Sequence, residues 1–257
     1  MTGELVIQAA DVYKDYGHVQ ALRGASLEVH RGEIVALVGD NGAGKSTLMK
    51  AMCGVVQPDR GEIRILGKPV QLTSARIAHD LGVQTVYQDL SLAPDLSVPA
   101  NIFLGTEVLR PGLLGRLGVL SRASMARESD AALRALGIEL PTVNVDIENL
   151  SGGQRQAVAI ARAVRWAENA ILMDEPTAAL GARQTEIVVD TIRTVASRGL
   201  GVLLISHDMP RMLNLADRVV VLRHGAVVAD FRADEATIPL IVSAMLGAVQ
   251  ETVDGRS

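Results

Sequence analysis

Three groups of residues in this chain have the types and spacing for phosphate chemistry. Gly39, Gly44, Lys45 and Ser46 fit the spacing G-x-x-x-x-G-K-[ST]. Gly39, Gly42 and Gly44 accept backbone angles that strain residues with a Cβ, so consecutive N–H groups can turn inward around phosphate oxygens. Lys45 adds a point charge, a helix starting near it aims unpaired N–H groups at the same phosphates, and the Ser46 hydroxyl can ligate Mg²⁺. Farther on, Asp174 and Glu175 are adjacent at the end of an apolar run. Successive strand side chains point in opposite directions, so Asp174 is assigned to the metal held by Ser46 and Glu175 to an attacking water. His207 follows another apolar run, at the kind of strand terminus where ligands gather in α/β patterns.

These groups need strands that end side by side. Residues 34–38, 170–173 and 201–205 are short, uninterrupted apolar runs of the kind buried on both faces of a parallel sheet. Residues 83–87 read as a further strand ending at Gln88. Residues 5–9, 25–29 and 61–66 alternate like half-exposed antiparallel strands, with turns at Gly17-His18 and Arg31-Gly32. Residues 218–223 and 226–231 form a hairpin around His224-Gly225. Helices are expected after Lys45 and over 76–81, 123–136, 155–164, 183–198 and 238–246. From Asp89 to Gly118 the chain is rich in Pro and Gly, and residues 89 to about 150 read as a separate, mostly helical lobe. Ser151 sits where a helix cap belongs, but two glycines in succession exceed what a cap requires. Tyr16, just ahead of Gly17, could stack on an adenine base or be a surface aromatic at a turn.

Composition narrows the partners. The chain has 257 residues, enough for one sizeable core with a smaller appended lobe. Aromatic residues make up only 2%, so the core must be built from Val, Leu, Ile and Ala. A net charge of -4 gives no basic footprint and there is no aromatic stacking platform, so no nucleic-acid partner is expected. The single cysteine, Cys53, excludes an internal disulfide framework, suits a reducing compartment and is expected to be buried after the phosphate loop. No secretion signal is apparent at the start. No uncharged apolar run reaches the roughly 18 residues that cross a bilayer, so any membrane role is expected to go through a partner.

Tyr16, Gly39 to Thr47, Gln88, Leu150-Ser151-Gly152-Gly153-Gln154, the run ending in Asp174-Glu175, and His207 occur in an order that resembles the ATP-binding subunit of an ATP-binding-cassette transporter. The resemblance implies an α/β fold: a P-loop NTPase (RecA-like) parallel-sheet core with an antiparallel β subdomain and a helical subdomain. It divides one domain into a nucleotide-binding core at 1–88 and 157–246, a signature-bearing helical part at 89–156 and a flexible tail at 247–257. ATP and Mg²⁺ are the implied cofactors. Tyr16, Gly39, Asn41, Gly42, Ala43, Gly44, Lys45, Ser46, Thr47, Gln88 and the signature residues Ser151, Gly152, Gly153 and Gln154 would bind nucleotide. Ser46, Gln88 and Asp174 would hold the metal, and Glu175, His207 and Lys45 would be catalytic, with His207 on the γ-phosphate. The resemblance also implies a head-to-tail dimer in which the signature of one subunit closes over the γ-phosphate held by the other.

Gly-Asp-Asn-Gly-Ala-Gly-Lys-Ser-Thr at the loop, Gln88-Asp89-Leu90-Ser91-Leu92 and Asn101-Ile102-Phe103-Leu104-Gly105 are similar to bacterial monosaccharide importers. The implied role is an ATPase for sugar uptake, peripheral on the cytoplasmic face of the membrane. Its partners would be transmembrane permease subunits, a sugar-binding protein acting through them, and a second identical or related cassette. The alternatives are an ATPase for another small solute, a soluble non-transport P-loop ATPase, or a soluble phosphotransferase or GTPase built on the same loop. One departure stands out: the family usually has Ser-Ala-Leu-Asp after the acidic pair, whereas this chain has Ala178-Ala179-Leu180-Gly181. Gly181 lacks the carboxylate expected to communicate across the dimer.

Overall fold

The computed structural model describes residues 3–178 and 180–248. In chain order its elements are β1 (Leu5–Tyr16), β2 (Val19–His30), β3 (Ile34–Val38), α1 (Lys45–Met52), β4 (Arg60–Ile65), β5 (Lys68–Val70), α2 (Ala75–Asp80), β6 (Val83–Val86), α3 (Val98–Ile102), α4 (Leu113–Arg116), α5 (Arg122–Ala135), α6 (Gly152–Val164), β7 (Ala170–Asp174), α7 (Ala182–Ser197), β8 (Gly201–Ile205), α8 (Met209–Leu215), β9 (Arg218–Arg223), β10 (Ala226–Arg232) and α9 (Ile238–Leu246).

The apolar runs become the middle of a six-stranded sheet in the order β10-β9-β3-β8-β7-β6. Its strands pair in parallel except β10, which returns antiparallel to β9. Parallel strands need crossover connections, and the helices that supply them cover both faces, which is why β3 and β8 are apolar at every position. Strand side chains alternate between faces. Ile34, Ala36 and Val38 join α6 and α7 in one apolar cluster, whereas Val35 and Leu37 join α1 and the second sheet in another. That second sheet is antiparallel, in the order β2-β1-β4-β5. The phosphate-loop helix and the signature helix therefore cover opposite faces of one sheet.

The segment expected to be a separate, mostly helical lobe has α3, α4 and α5 as its main regular elements, but helix covers less than half of residues 89–150 and the core is continuous with the sheet. Val98, Ile102, Phe103, Met125 and Leu133 belong to the same cluster as the face that packs on α6 and α7. Strands β1 and β2 run longer than their alternation indicates. Asp11 adopts a left-handed φ of 48° where the β1–β2 register shifts, and this bulge interrupts the period-two pattern. The sequence reading did not anticipate β5, α3, α4 or α8. All are short, and Pro69, Pro99 and Pro210 lie in or at the start of three of them, where proline reads as a breaker. Of the expected tail, residues 249–257 lie outside the described residues.

Candidate functional site

The loop after β3 has the shape its glycines permit. Gly39 has φ 153°, and a Cβ there would lie 2.2 Å from the Leu222 carbonyl oxygen. Gly44, with φ 106°, caps α1, and a Cβ there would lie 2.5 Å from the Ala21 carbonyl oxygen. Both positions exclude any side chain, so the loop is wedged between β2 and β9. The Gly225 N–H donates to the Ala43 carbonyl at 2.9 Å and ties the loop to the β9–β10 turn. Asn41, Gly42 and Ser46 are exposed, Thr47 is half-buried, and Ala43 is buried. Lys45 is buried and its Nζ donates to the carbonyls of Gly39 at 2.7 Å and Asp40 at 2.9 Å. Burial pulls the Lys45 pKa below its usual value, against the pull of Glu175, Asp40 and Asp174.

Strand β7 delivers the acids to the same end. Asp174 is paired with Ile205 of β8, and the Ser46 hydroxyl lies near enough to its carboxylate to favour the charged form. Burial pushes the Asp174 pKa up and the neighbouring Glu175 adds to this, while Lys50, Lys45 and Ser46 offset only part. The divergence of the two carboxylates has a different cause from the expected strand alternation. Glu175 leaves the strand in the left-handed region, at φ 50°, with its N–H donating to the Ile205 carbonyl at 2.9 Å. A non-glycine residue held there is strained, and such strain collects at functional sites. The turn brings Glu175 Oε1 to 2.6 Å from Nε2 of half-exposed His207.

Gln88 is exposed two residues past β6, beside β7 through the Val86–Met173 pairing. Tyr16 is 48% exposed at the β1–β2 turn, with Lys14 Nζ 5.8 Å from its ring centroid.

Ser151 caps α6 in a reciprocal box: its Oγ accepts from the Gln154 N–H at 3.3 Å, and Gln154 Oε1 accepts from the Ser151 N–H at 3.0 Å. The glycines that exceed a cap's needs serve close packing. A Cβ on Gly153 would lie 2.8 Å from Gln184 Cβ and 3.0 Å from its backbone, and one on Gly152 would lie 3.0 Å from Leu180 Cδ2. The start of α6 thus lies against the start of α7, on the sheet face opposite α1. Within one chain the signature residues Ser151 to Gln154 and the phosphate loop belong to different layers. Gly181 caps α7 with only half a box, its N–H donating to Gln184 Oε1, and a Cβ there would meet open space.

Arg162 was not singled out from the sequence. Its Nη1 and Nη2 donate to the carbonyls of Ser91 at 2.8 Å and Leu90 at 2.9 Å, strapping the segment after Gln88 to the helix that Ser151 caps. The available signal was a cation inside the apolar run Ile160-Ala161-Arg162-Ala163-Val164, where a charge must find partners.

The match to known proteins follows the same residues. The family model described as ABC transporter matches residues 22–178. The chain is 44% identical over 250 residues to the fructose import ATP-binding protein FrcA of Rhizobium meliloti, covering 96% of each. It is 44% identical over 240 residues to the xylose/arabinose import ATP-binding protein XylG of Sulfolobus acidocaldarius, covering 93% of each. A solved dimeric, post-hydrolysis ATP-binding cassette bound to ADP and Pi superposes with a TM-score of 0.71 at 26% identity, over 88% of this chain and 98% of that one. With the family model spanning the loop, the signature and the acidic pair, and relatives this similar along nearly their whole length, this chain belongs to the ABC transporter family.

Proposed function

We infer that this chain is the ATP-binding and hydrolysing subunit that powers uptake of a simple sugar through a membrane permease. The observation that carries the reading is the convergence of Lys45, Ser46, Asp174, Glu175 and His207 at the carboxyl ends of three neighbouring strands. ATP phosphates would take up N–H groups of the loop and the Lys45 ammonium, which among the described residues bonds to the loop carbonyls of Gly39 and Asp40. The donors Ser46, Asp174 and Gln88 are a hydroxyl, a carboxylate and an amide, all hard oxygens that suit Mg²⁺, and a cation there would relieve the burden on Asp174. Glu175, held by His207, would take a proton from water attacking the γ-phosphate.

The signature residues Ser151, Gly152, Gly153 and Gln154 complete the site in trans. Their place on the sheet face opposite α1 supports a head-to-tail pair, as does the dimeric form of the solved relative. Arg162 would transmit movement at Gln88 to α6 in the same chain. A groove of about 510 Å³ lined by Leu96, Leu104, Leu120 and Met125 follows Gln88, and a permease helix would seat there. The sugar class rests on the relatives named for fructose and xylose/arabinose import. The described residues contain no helix long and apolar enough to cross a membrane, so passage of solute needs the permease.

Glu175→Gln tests the chemical assignment. It should retain ATP binding while phosphate release falls about a hundredfold or more, the scale of a lost general base. Turnover at the wild-type rate would overturn the role of Glu175.

A further inference from the structure

We propose that the hairpin at 104–122 is a membrane-surface contact that takes anionic lipid headgroups. Six of the fifteen large apolar side chains that the described residues expose lie between 104 and 119: Leu104, Leu109, Leu113, Leu114, Leu117 and Val119. Scattered exposure is ordinary, but concentration in one protrusion marks an interaction surface. Leu113 and Leu117 are each 72% exposed and one helical turn apart.

The protrusion is built rather than slack. The Arg110 N–H donates to the Val119 carbonyl at 2.8 Å, and the Ser121 N–H donates to that of Val108 at 2.6 Å. Gly115 is packed so closely that a Cβ would lie 1.9 Å from the Arg110 carbonyl oxygen. The fold thus holds leucines in water in a fixed arrangement, which is costly unless something covers them.

Charge identifies the covering surface. Arg110, Arg116 and Arg122 are exposed, and none forms an ion pair among the described residues. The one acid of the hairpin, Glu107, accepts from the Gly105 N–H. The segment carries +2 in a chain of net charge -4, so the remainder carries -6. A cationic, leucine-bearing tip on an acidic body would be drawn to an anionic bilayer and oriented by it, with arginines at the headgroups and leucines at the acyl boundary. A second copy of the same hairpin would be repelled by like charge. Leu104, Leu120 and Arg122 also line the groove proposed above for the permease. The biological setting of this inference therefore rests on the reading of the chain as a transporter subunit.

The test is co-sedimentation of the full chain with vesicles of equal parts phosphatidylglycerol and phosphatidylcholine, and with phosphatidylcholine alone. The wild type should bind the anionic vesicles, less so at high salt. Leu113→Ser with Leu117→Ser should lower partitioning about tenfold or more. Arg110→Gln with Arg116→Gln should abolish the preference for anionic lipid, and both variants should hydrolyse ATP as the wild type does. No vesicle binding, or equal binding by the leucine variant, would overturn the proposal. So would dependence on these leucines for permease capture in detergent but not for vesicle binding, which would assign the surface to protein. The vesicles contain no permease, so leucine-dependent binding without any permease co-purifying would uphold the lipid contact and remove the transport reading instead.

Discussion

Glu33, at the amino end of β3, and Asp174, at the carboxyl end of β7, are half-buried carboxylates of one sheet whose pKa values move in opposite directions. Burial alone would raise both. Glu33 is nevertheless held below the usual range, because Arg218 Nε donates to it at 2.8 Å and the His30 N–H at 2.8 Å. Arg218 also reaches Asp230 at 2.6 Å and the Glu28 carbonyl, fastening β9, β10 and β2 to the start of β3. Asp174 has only partial compensation and a like charge beside it, so its pKa stays raised. A matched charge is structure already complete. An unmatched one at strand ends is a candidate functional group, here at the end where the proposed cation and phosphates would bind.

Glu33→Gln should break the matched end and cost about 1 to 2 kcal/mol at neutral pH, because charge-assisted hydrogen bonds are lost at a half-buried site. The folded pKa of Glu33 is depressed, so its contribution is present above the unfolded value and lost as pH falls through the folded one. Denaturation measured against pH should therefore show wild type and variant converging under acid conditions, and a constant gap would contradict the assignment.

Gly42 of the phosphate loop is demanded by its left-handed φ alone, and Gly39 and Gly44 by φ and close approach together, whereas Gly153 is demanded only by the approach of Gln184. Gly153→Ala meets backbone and should destabilise by about 1 to 3 kcal/mol through forced displacement of α7. Gly152→Ala makes its one close contact with the end of the Leu180 side chain and an ordinary one with Gln184 Oε1, and should cost about half a kcal/mol or less. Urea unfolding of the two variants tests the order.

Asp174→Asn should act in the opposite sense to Glu33→Gln. A raised folded pKa favours the native state below the unfolded value, and that benefit is lost as pH rises through the folded one. At neutral pH the ionised Asp174 therefore burdens the nucleotide-free chain. The asparagine variant should melt higher there, with the gap closing on acidification, while Mg²⁺-dependent hydrolysis is lost. A lower melting temperature would contradict the reading of an unmatched charge.

The smallest effect is expected at Gly181. An aspartate fits the open space and can cap α7, adding a few tenths of a kcal/mol of stability. Its larger consequence would be a changed Hill coefficient for ATP hydrolysis in the assembled transporter, and an unchanged coefficient would remove Gly181 from communication between sites.

The buried half of this architecture was legible because burial on both faces leaves a simple trace. The runs at 34–38 and 201–205 coincide with β3 and β8, and the phosphate-loop residues and His207 proposed for the site follow their carboxyl ends. Irregular local structure left a weaker trace. The bulge at Asp11 hid the length of β1, and the left-handed turn at Glu175 follows from tertiary pairing with β8, not from strand periodicity. Arg162 was missed because its partners are carbonyls 71 and 72 residues away, a pairing invisible to local pattern. The exposed leucines of the 104–122 hairpin likewise read as an unpatterned Pro/Gly-rich stretch until the backbone bonds that fix them were placed.

Closure of one chain's signature over another chain's phosphate loop can be tested by cross-linking. Asn41 and Ser151 are both exposed, and the native thiol, Cys53, is buried. In a Glu175→Gln background, Asn41→Cys and Ser151→Cys placed in one chain should form a covalent dimer on mild oxidation when ATP and Mg²⁺ are present, and not without them. A cross-link indifferent to nucleotide, or none at saturating ATP, would contradict it.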